Sequence, residues 1–519
     1  MNHHSPVGRS GTANDDDGAP AAVTVAIIGG GPAGLTAAYE LQKHSESHHP
    51  VVFEESDQVG GISRTEVYKG YRYDIGGHRF FTKVKSVEAL WKEVLPNDFL
   101  QRPRMSRIFY RSKYYAYPLK PFNALLNMGP YESLRIMLSY MKWKVRPSQE
   151  EVTFEQWVTN RFGGRLFWHF FKSYTEKVWG IPCNEIRADW AAQRIKNLSL
   201  RKALWNSISG SNDTHSLIEQ FDYPRLGPGM MWEAFRDRVE EKGGEVRMKQ
   251  RVSKIHRDDH VVRAVEIENV EDGSTYVFKA DQFISSMPIS ALVENMVPPA
   301  PEKVRQAASK LRYRDFLMVT LIIEGENMFP DNWIYIHSPD VKVGRIQNFR
   351  SWSEEMIPEE NRSSLGLEYF CNEDDDLWSK SDAELLVQAE TELRKLNLVG
   401  DAPVLDGTVI RQRKAYPLYD GDYRDALDTI RTWLDNFTNL QAVGRNGMHR
   451  YNNQDHSMLT AMLAVENILG GEHDLWAVNV EEEYHEEVDS KPTSRRPAVA
   501  ECNNPVRVNS EKETAAIAG

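Results

Sequence analysis

The chain has 519 residues, 41% of them hydrophobic and 27% charged, enough apolar material for a large globular core. Its formal charge of −12 argues against nucleic acid as the main partner, because a binder of phosphate backbones carries a basic face. Three cysteines, Cys183, Cys371 and Cys502, form neither a CxxC pair nor a zinc spacing, so no disulfide framework and no metal site are expected.

Residues 1–22 are polar and acidic without an apolar centre, which predicts a disordered tail rather than a secretory leader. The β-branched run Val23-Thr-Val-Ala-Ile-Ile28 predicts a strand, "LTAAYELQKH" a helix, and Val51-Val-Phe-Glu54 a second strand. From about 120 to 220 the text turns helical and aromatic-rich. It becomes strand-like over about 245–290 and again over about 315–370. A helix at about 423–436 precedes "LQAVGRNG" and a last helix through "MLTAMLAVENIL"; residues 485–519 predict a flexible tail. No apolar run approaches the roughly 18 residues of a membrane span, so a cytoplasmic protein is the default expectation.

The first strand runs into Gly29, Gly31 and Gly34, a G-x-G-x-x-G turn that opens a helix. The first glycine permits the tight turn, the second admits a pyrophosphate to the backbone, and the third lets the helix close onto the strand. Glu54 ends the next strand, where a carboxylate accepts hydrogen bonds from ribose hydroxyls. Together these predict a dinucleotide site. A second glycine pair, Gly60-Gly61, followed by Arg64, suits an elongated, permanently bound dinucleotide better than an exchanging one.

This opening resembles the FAD-binding segment of the amine oxidase and protoporphyrinogen oxidase-like flavoproteins. Within them, "YDIGGHRFF" is similar to the Gly-x-His-x-Phe segment of UDP-galactopyranose mutases, with Gly77 and His78 along the flavin. "FFKSYTEKVWG" matches another mutase stretch, through Phe170, Phe171, Tyr174, Thr175, Lys177, Trp179 and Gly180, with Arg194 downstream. There the resemblance implies a tryptophan in the substrate pocket and an arginine on the diphosphate, although aromatics at this spacing also suit a plain core. "VGRNGMHRY" resembles the closing motif, with Gly444 and Arg445 at the flavin and Tyr451 toward the diphosphate. The acid expected two positions after that tyrosine is Asn453 here. Arg345 and Tyr416 match a substrate-side arginine and tyrosine, and Val252 is taken with the cofactor-binding set.

The resemblance implies an α/β fold, a Rossmann-like FAD-binding domain built from discontinuous segments with a helical insertion and a β-rich substrate domain. FAD-binding segments are expected at 23–90, 225–292 and 405–484, the helical insertion at 91–224 and the substrate domain at 293–404. It further implies a pyranose/furanose mutase acting on a nucleotide sugar such as UDP-galactose, with reduced flavin N5 as the nucleophile at the anomeric carbon. His78, Arg194 and Arg345 then carry catalytic roles, while Tyr174, Trp179, Tyr416 and Tyr451 bind substrate. An external reductant such as NAD(P)H and a homo-oligomer are compatible with the sequence. The rival expectation is an FAD-dependent oxidoreductase dehydrogenating an amine, porphyrinogen or polyene, which calls for an apolar pocket. The basic, tyrosine-rich "RPRMSRIFYRSKYY" suits an anionic guest, or equally a solvated strand face.

Overall fold

The computed structural model describes residues 22–117, 119, 121–188, 216–217, 220–326, 328–479 and 487–488. A five-stranded parallel sheet lies at its centre, in the order Glu245–Arg247, His48–Phe53, Val23–Ile28, Gln282–Ser285 and Leu440–Ala442. Five stretches scattered over some 420 residues thus build one sheet, as a discontinuous Rossmann-like domain requires. Parallel strands buried on both faces read as continuous apolar runs, and Val25–Ile28 and Val51–Phe53 are buried throughout.

The helix Pro32–His44 packs on this sheet. It opens on a proline, whose missing N–H costs nothing at that position, and its inner side is lined by Ala33, Leu35, Ala37, Ala38 and Leu41. Gly34 has no alternative there, since a Cβ would sit 1.9 Å from the Gly29 carbonyl oxygen. Helices Gly229–Glu241 and Gln454–Ile468 flank it. Phe278 of a smaller four-stranded sheet (Thr275–Lys279, Val261–Asn269 and Gln250–Asp258 antiparallel, with Met296–Val297 added in parallel) meets Phe53 edge-on.

The second body is a seven-stranded sheet whose second strand from one edge, Tyr313–Glu324, is buried along all but its ends. Alternation divides its side chains. Leu317, Val319, Leu321 and Ile323 pack toward the helix Asp382–Lys395, while Phe316, Met318 and Ile322 pack on the other face with Tyr71, Tyr73 and Ile75. Two expected boundaries shift. Ser106–Tyr110 and Lys113–Ala116 leave the helical insertion to join this sheet, Ser106–Tyr110 pairing in parallel with Trp333–Ile336. Val404–Pro417 likewise pairs with Tyr313–Glu324, so the return to the dinucleotide domain comes after this strand and not at residue 405. Both are amphipathic β stretches whose partners lie far off in sequence, so local pattern did not tell which sheet they join.

The last helix differs slightly from expectation. It starts at Gln454, four residues before the apolar run that predicts it, because Asn453 takes the extended N-cap conformation and its N–H donates to His456 Nδ1 at 3.2 Å.

Candidate functional site

The glycine turn is built as its spacing predicts. Gly29 takes φ +100°, and a Cβ there would strike Ser286 Oγ. Gly31 is the helix N-cap, in extended conformation, and Gly61 stands opposite, so a Cβ on Gly31 would meet only the Gly61 backbone at 3.8 Å. The two glycines bare their backbones to a shared slot beside the helix N-terminus, where first-turn N–H groups lack intrahelical partners. Side chains would fill that slot; a pyrophosphate suits it. Gly60 N–H donates to the Gly30 carbonyl at 2.8 Å, locking the two glycine segments together.

Glu54 follows directly on its strand and is buried. One carboxylate oxygen accepts from Gly30 N–H at 2.6 Å and the other from the Ser56 N–H and hydroxyl at 3.0 and 2.7 Å. Gln250 N–H donates to the Glu54 carbonyl, which brings Val252, two residues on, close to the same end of the sheet. Arg64 turns back to donate to the Gly61 carbonyl and the Gln412 side chain, each at 2.9 Å, and pairs with Glu66. Gly444 (φ +82°) packs against Ala33 of the first helix, its N–H held by Thr460.

From this turn a polar cavity of about 130 Å³ extends toward the seven-stranded sheet. Its wall carries Gly77, His78, Arg345, Tyr416, Arg445 and Tyr451, six residues singled out in the sequence from four separate stretches. Arg345 donates to Tyr416 Oη at 3.1 Å, and Tyr416 stacks on Tyr451 with ring centres 5.6 Å apart. The Arg445 guanidinium lies over both rings and is anchored on the Asn452 and Ala415 carbonyls.

Charge states in the cavity follow from enclosure. Burial pushes the His78 imidazole down to about 3, with the Arg445 and Arg345 charges adding to it, so His78 is neutral. Its Nδ1 lies 3.1 Å from the Gly76 carbonyl, an acceptor only, so Nδ1 carries the proton and Nε2 is left as an acceptor. Burial opposes the charge on Arg345, yet Glu368 and the surrounding tyrosines hold the guanidinium firmly protonated. Arg345 Nε sits 2.5 Å from the fully buried Glu368 carboxylate, whose other oxygen accepts from Gln347 at 2.6 Å. Burial lifts the Tyr416 phenol to about 12, with Arg345 drawing it back.

Tyr174 lies within electrostatic reach of Arg345 and Tyr416, and its ring is stacked on His337 at 4.6 Å and 8°. Trp179 is buried in the aromatic core of the helical insertion with Phe170, so its observed surroundings are those of a core residue. Arg194 falls outside the described residues. Glu368, Gln347, Asn452 and Ser286 support the site but carried no signal in the sequence, since each acts through a partner brought up by tertiary packing. Among the described residues no cluster of His, Cys, Asp or Glu is arranged to hold a metal, and no helix is long and apolar enough to cross a membrane.

The model of the flavin-containing amine oxidoreductases matches residues 32–423. The chain belongs to that family. FAD is accordingly its cofactor, and the glycine slot, Glu54 and the Gly444–Arg445 turn are the residues that would hold it. Among curated proteins, coproporphyrinogen III oxidase of Staphylococcus aureus is 22% identical over 48% of this chain and 59% of its own length. The 15-cis-phytoene desaturase of Glycine max is 25% identical over 49% of this chain and 47% of its own. The matches therefore span about half the length of these relatives. Among solved structures, a reduced UDP-galactopyranose mutase superposes with a TM-score of 0.75 at 22% identity, covering 86% of this chain and 96% of that one. At that identity the likeness is one of fold.

Proposed function

We propose that the protein is an FAD-dependent pyranose/furanose mutase acting on a nucleotide sugar of the UDP-galactose kind. The observation that carries this reading is the cavity wall. Arg345, with Tyr416 and Tyr451 beside it, presents a fixed cation and two phenols to a guest, and Arg445 of the flavin-side turn adds positive charge behind the two rings. Such a wall favours an anionic guest such as a diphosphate and disfavours an amine cation or an uncharged polyene.

Bound and reduced, FAD would supply nucleophilic electron density at N5 for the anomeric carbon. The chain's residues supply the rest. Arg345, braced by Glu368 and already charged, meets the negative charge that builds on the departing diphosphate without having to gain a proton. Tyr416, un-ionised at any working pH, donates its hydroxyl proton to a phosphate oxygen, and Tyr451 lies alongside it. The neutral His78 accepts a hydrogen bond through Nε2 from a sugar hydroxyl or the cofactor edge. Arg345, Tyr416 and Tyr451 would meet the phosphates, and Tyr174 lies within electrostatic reach of Arg345 and Tyr416.

The family and the two curated relatives favour a second reading, dehydrogenation of an organic substrate with electrons leaving through the flavin. Anaerobic incubation of dithionite-reduced protein with UDP-galactose separates the two. A mutase forms the furanose isomer, resolved by chromatography, and its flavin stays reduced. If no nucleotide sugar reacts and a porphyrinogen or amine instead bleaches the oxidised flavin, the oxidoreductase reading replaces this one.

A further inference from the structure

The helix Pro130–Val145 packs on the insertion through Ile136 and turns its opposite side to solvent. On that side Tyr131, Leu134, Leu138, Met141 and Val145 are 73, 60, 53, 51 and 78% exposed. Their spacing of three and four residues places all five within about 80° of arc, centred about 180° from Ile136. The stripe is about 20 Å long at the helical rise. Leu126, 78% exposed on the preceding helix Pro121–Met128, stands beside Lys113, which donates to the Asn127 carbonyl at 2.6 Å. A contiguous apolar stripe of this size is uncommon on a monomer's surface without a partner.

Charge decides which partner. Arg135, Lys142 and Arg146 follow one edge of the stripe and Lys144 the other, all exposed. The helix's one acid, Glu132, is engaged by Arg165 and His169 and more loosely by Arg135 at 3.5 Å, so Lys142, Lys144 and Arg146 carry most of the stripe's positive charge. Two copies laid stripe to stripe in antiparallel fashion would bring Arg135 against Lys142, so self-pairing meets like charges on its rim. Anionic headgroups meet the same cations favourably. The basic edges also belong to a chain of net charge −12, so the cations are concentrated where the apolar residues are. We propose that this helix docks the protein on an anionic bilayer surface, with the five side chains entering the headgroup boundary and the flanking cations among the lipid phosphates. It lies on the membrane and does not span it.

The test uses the FAD-loaded full chain and sedimentation with vesicles of phosphatidylcholine alone or with 30% phosphatidylglycerol. The expected result is binding to the anionic vesicles at least tenfold tighter than to the neutral ones, weakened in 0.5 M salt. Leu134→Asp/Leu138→Asp should abolish it and Lys142→Glu/Lys144→Glu should weaken it about tenfold. Both variants alter exposed positions outside the cavity wall and the glycine slot, so flavin content and circular dichroism should match the parent. Absence of binding to anionic vesicles, or binding unchanged in both variants, overturns the proposal. So does a dimer that Leu134→Asp/Leu138→Asp splits while vesicles are ignored, which assigns the stripe to a second copy.

Discussion

Two glycines three residues apart in one turn should respond to alanine in opposite ways. At Gly34 the added Cβ would lie 1.9 Å from the Gly29 carbonyl oxygen and 3.2 Å from an Ile27 methyl. Ordinary contact needs roughly 3.4 Å, so the helix must move more than an ångström off the strand it covers. Forced overpacking of a buried contact costs about 3 kcal/mol. Gly34→Ala should therefore lose stability whether or not FAD is present. At Gly31 the backbone is already extended, φ −81° and ψ −173°, and a Cβ meets nothing closer than 3.8 Å. Gly31→Ala should leave the apoprotein's melting temperature unchanged or slightly raised, since alanine restricts the unfolded chain. Its methyl would project into the slot assigned to pyrophosphate, and FAD affinity should fall about 100-fold, about 2.7 kcal/mol. Flavin absorbance of the purified variants and apoprotein melting curves measure both effects. A Gly31→Ala variant that binds FAD like the parent would refute the placement of the pyrophosphate. A Gly34→Ala apoprotein that melts like the parent would refute the packing argument.

Arg345→Ala strands the buried Glu368 carboxylate and should cost about 3–5 kcal/mol by thermal or denaturant unfolding. Adding Glu368→Gln should return most of that stability without returning UDP affinity; a double variant that binds UDP like the parent would remove Arg345 from the substrate site. Four histidines are buried neutral, His78 and His337 pushed down to about 3 and His449 and His456 to about 4. The unfolded chain protonates each at about 6.5, so stability should fall as pH drops from 6.5 toward 4. Asp74, raised by burial to about 7, acts in the opposite direction, as more weakly do the raised Glu55, Asp222, Asp315 and Asp435, so the four large histidine shifts set the sign. Melting temperatures at pH 7 and pH 5 check the sign, and a higher value at pH 5 would contradict it.

The dinucleotide turn was legible because its chemistry is local. Strand, glycines and helix succeed one another within two dozen residues, and each glycine answers a backbone demand that no other residue meets. Discontinuity was legible too, from β-rich text recurring on both sides of a helical stretch. The affiliation of single strands was not. Val404–Pro417 and Ser106–Tyr110 pair with strands that lie far away in the chain. In the site, resemblance brought together six cavity residues, yet Trp179 proved to lie among core aromatics. Glu368 was invisible for a physical reason: a lone acid in an apolar strand gains meaning only when Arg345 is set beside it by sheet pairing.

The central claim, that the cavity seats a doubly phosphorylated nucleotide against Arg345, Tyr416 and Tyr451, is tested most directly by titrating the oxidised holoprotein with UDP and with uridine. UDP should bind saturably and at least 100-fold more tightly than uridine, because the phosphates meet the charged wall. Equal affinity for the two, or binding of neither, would contradict it.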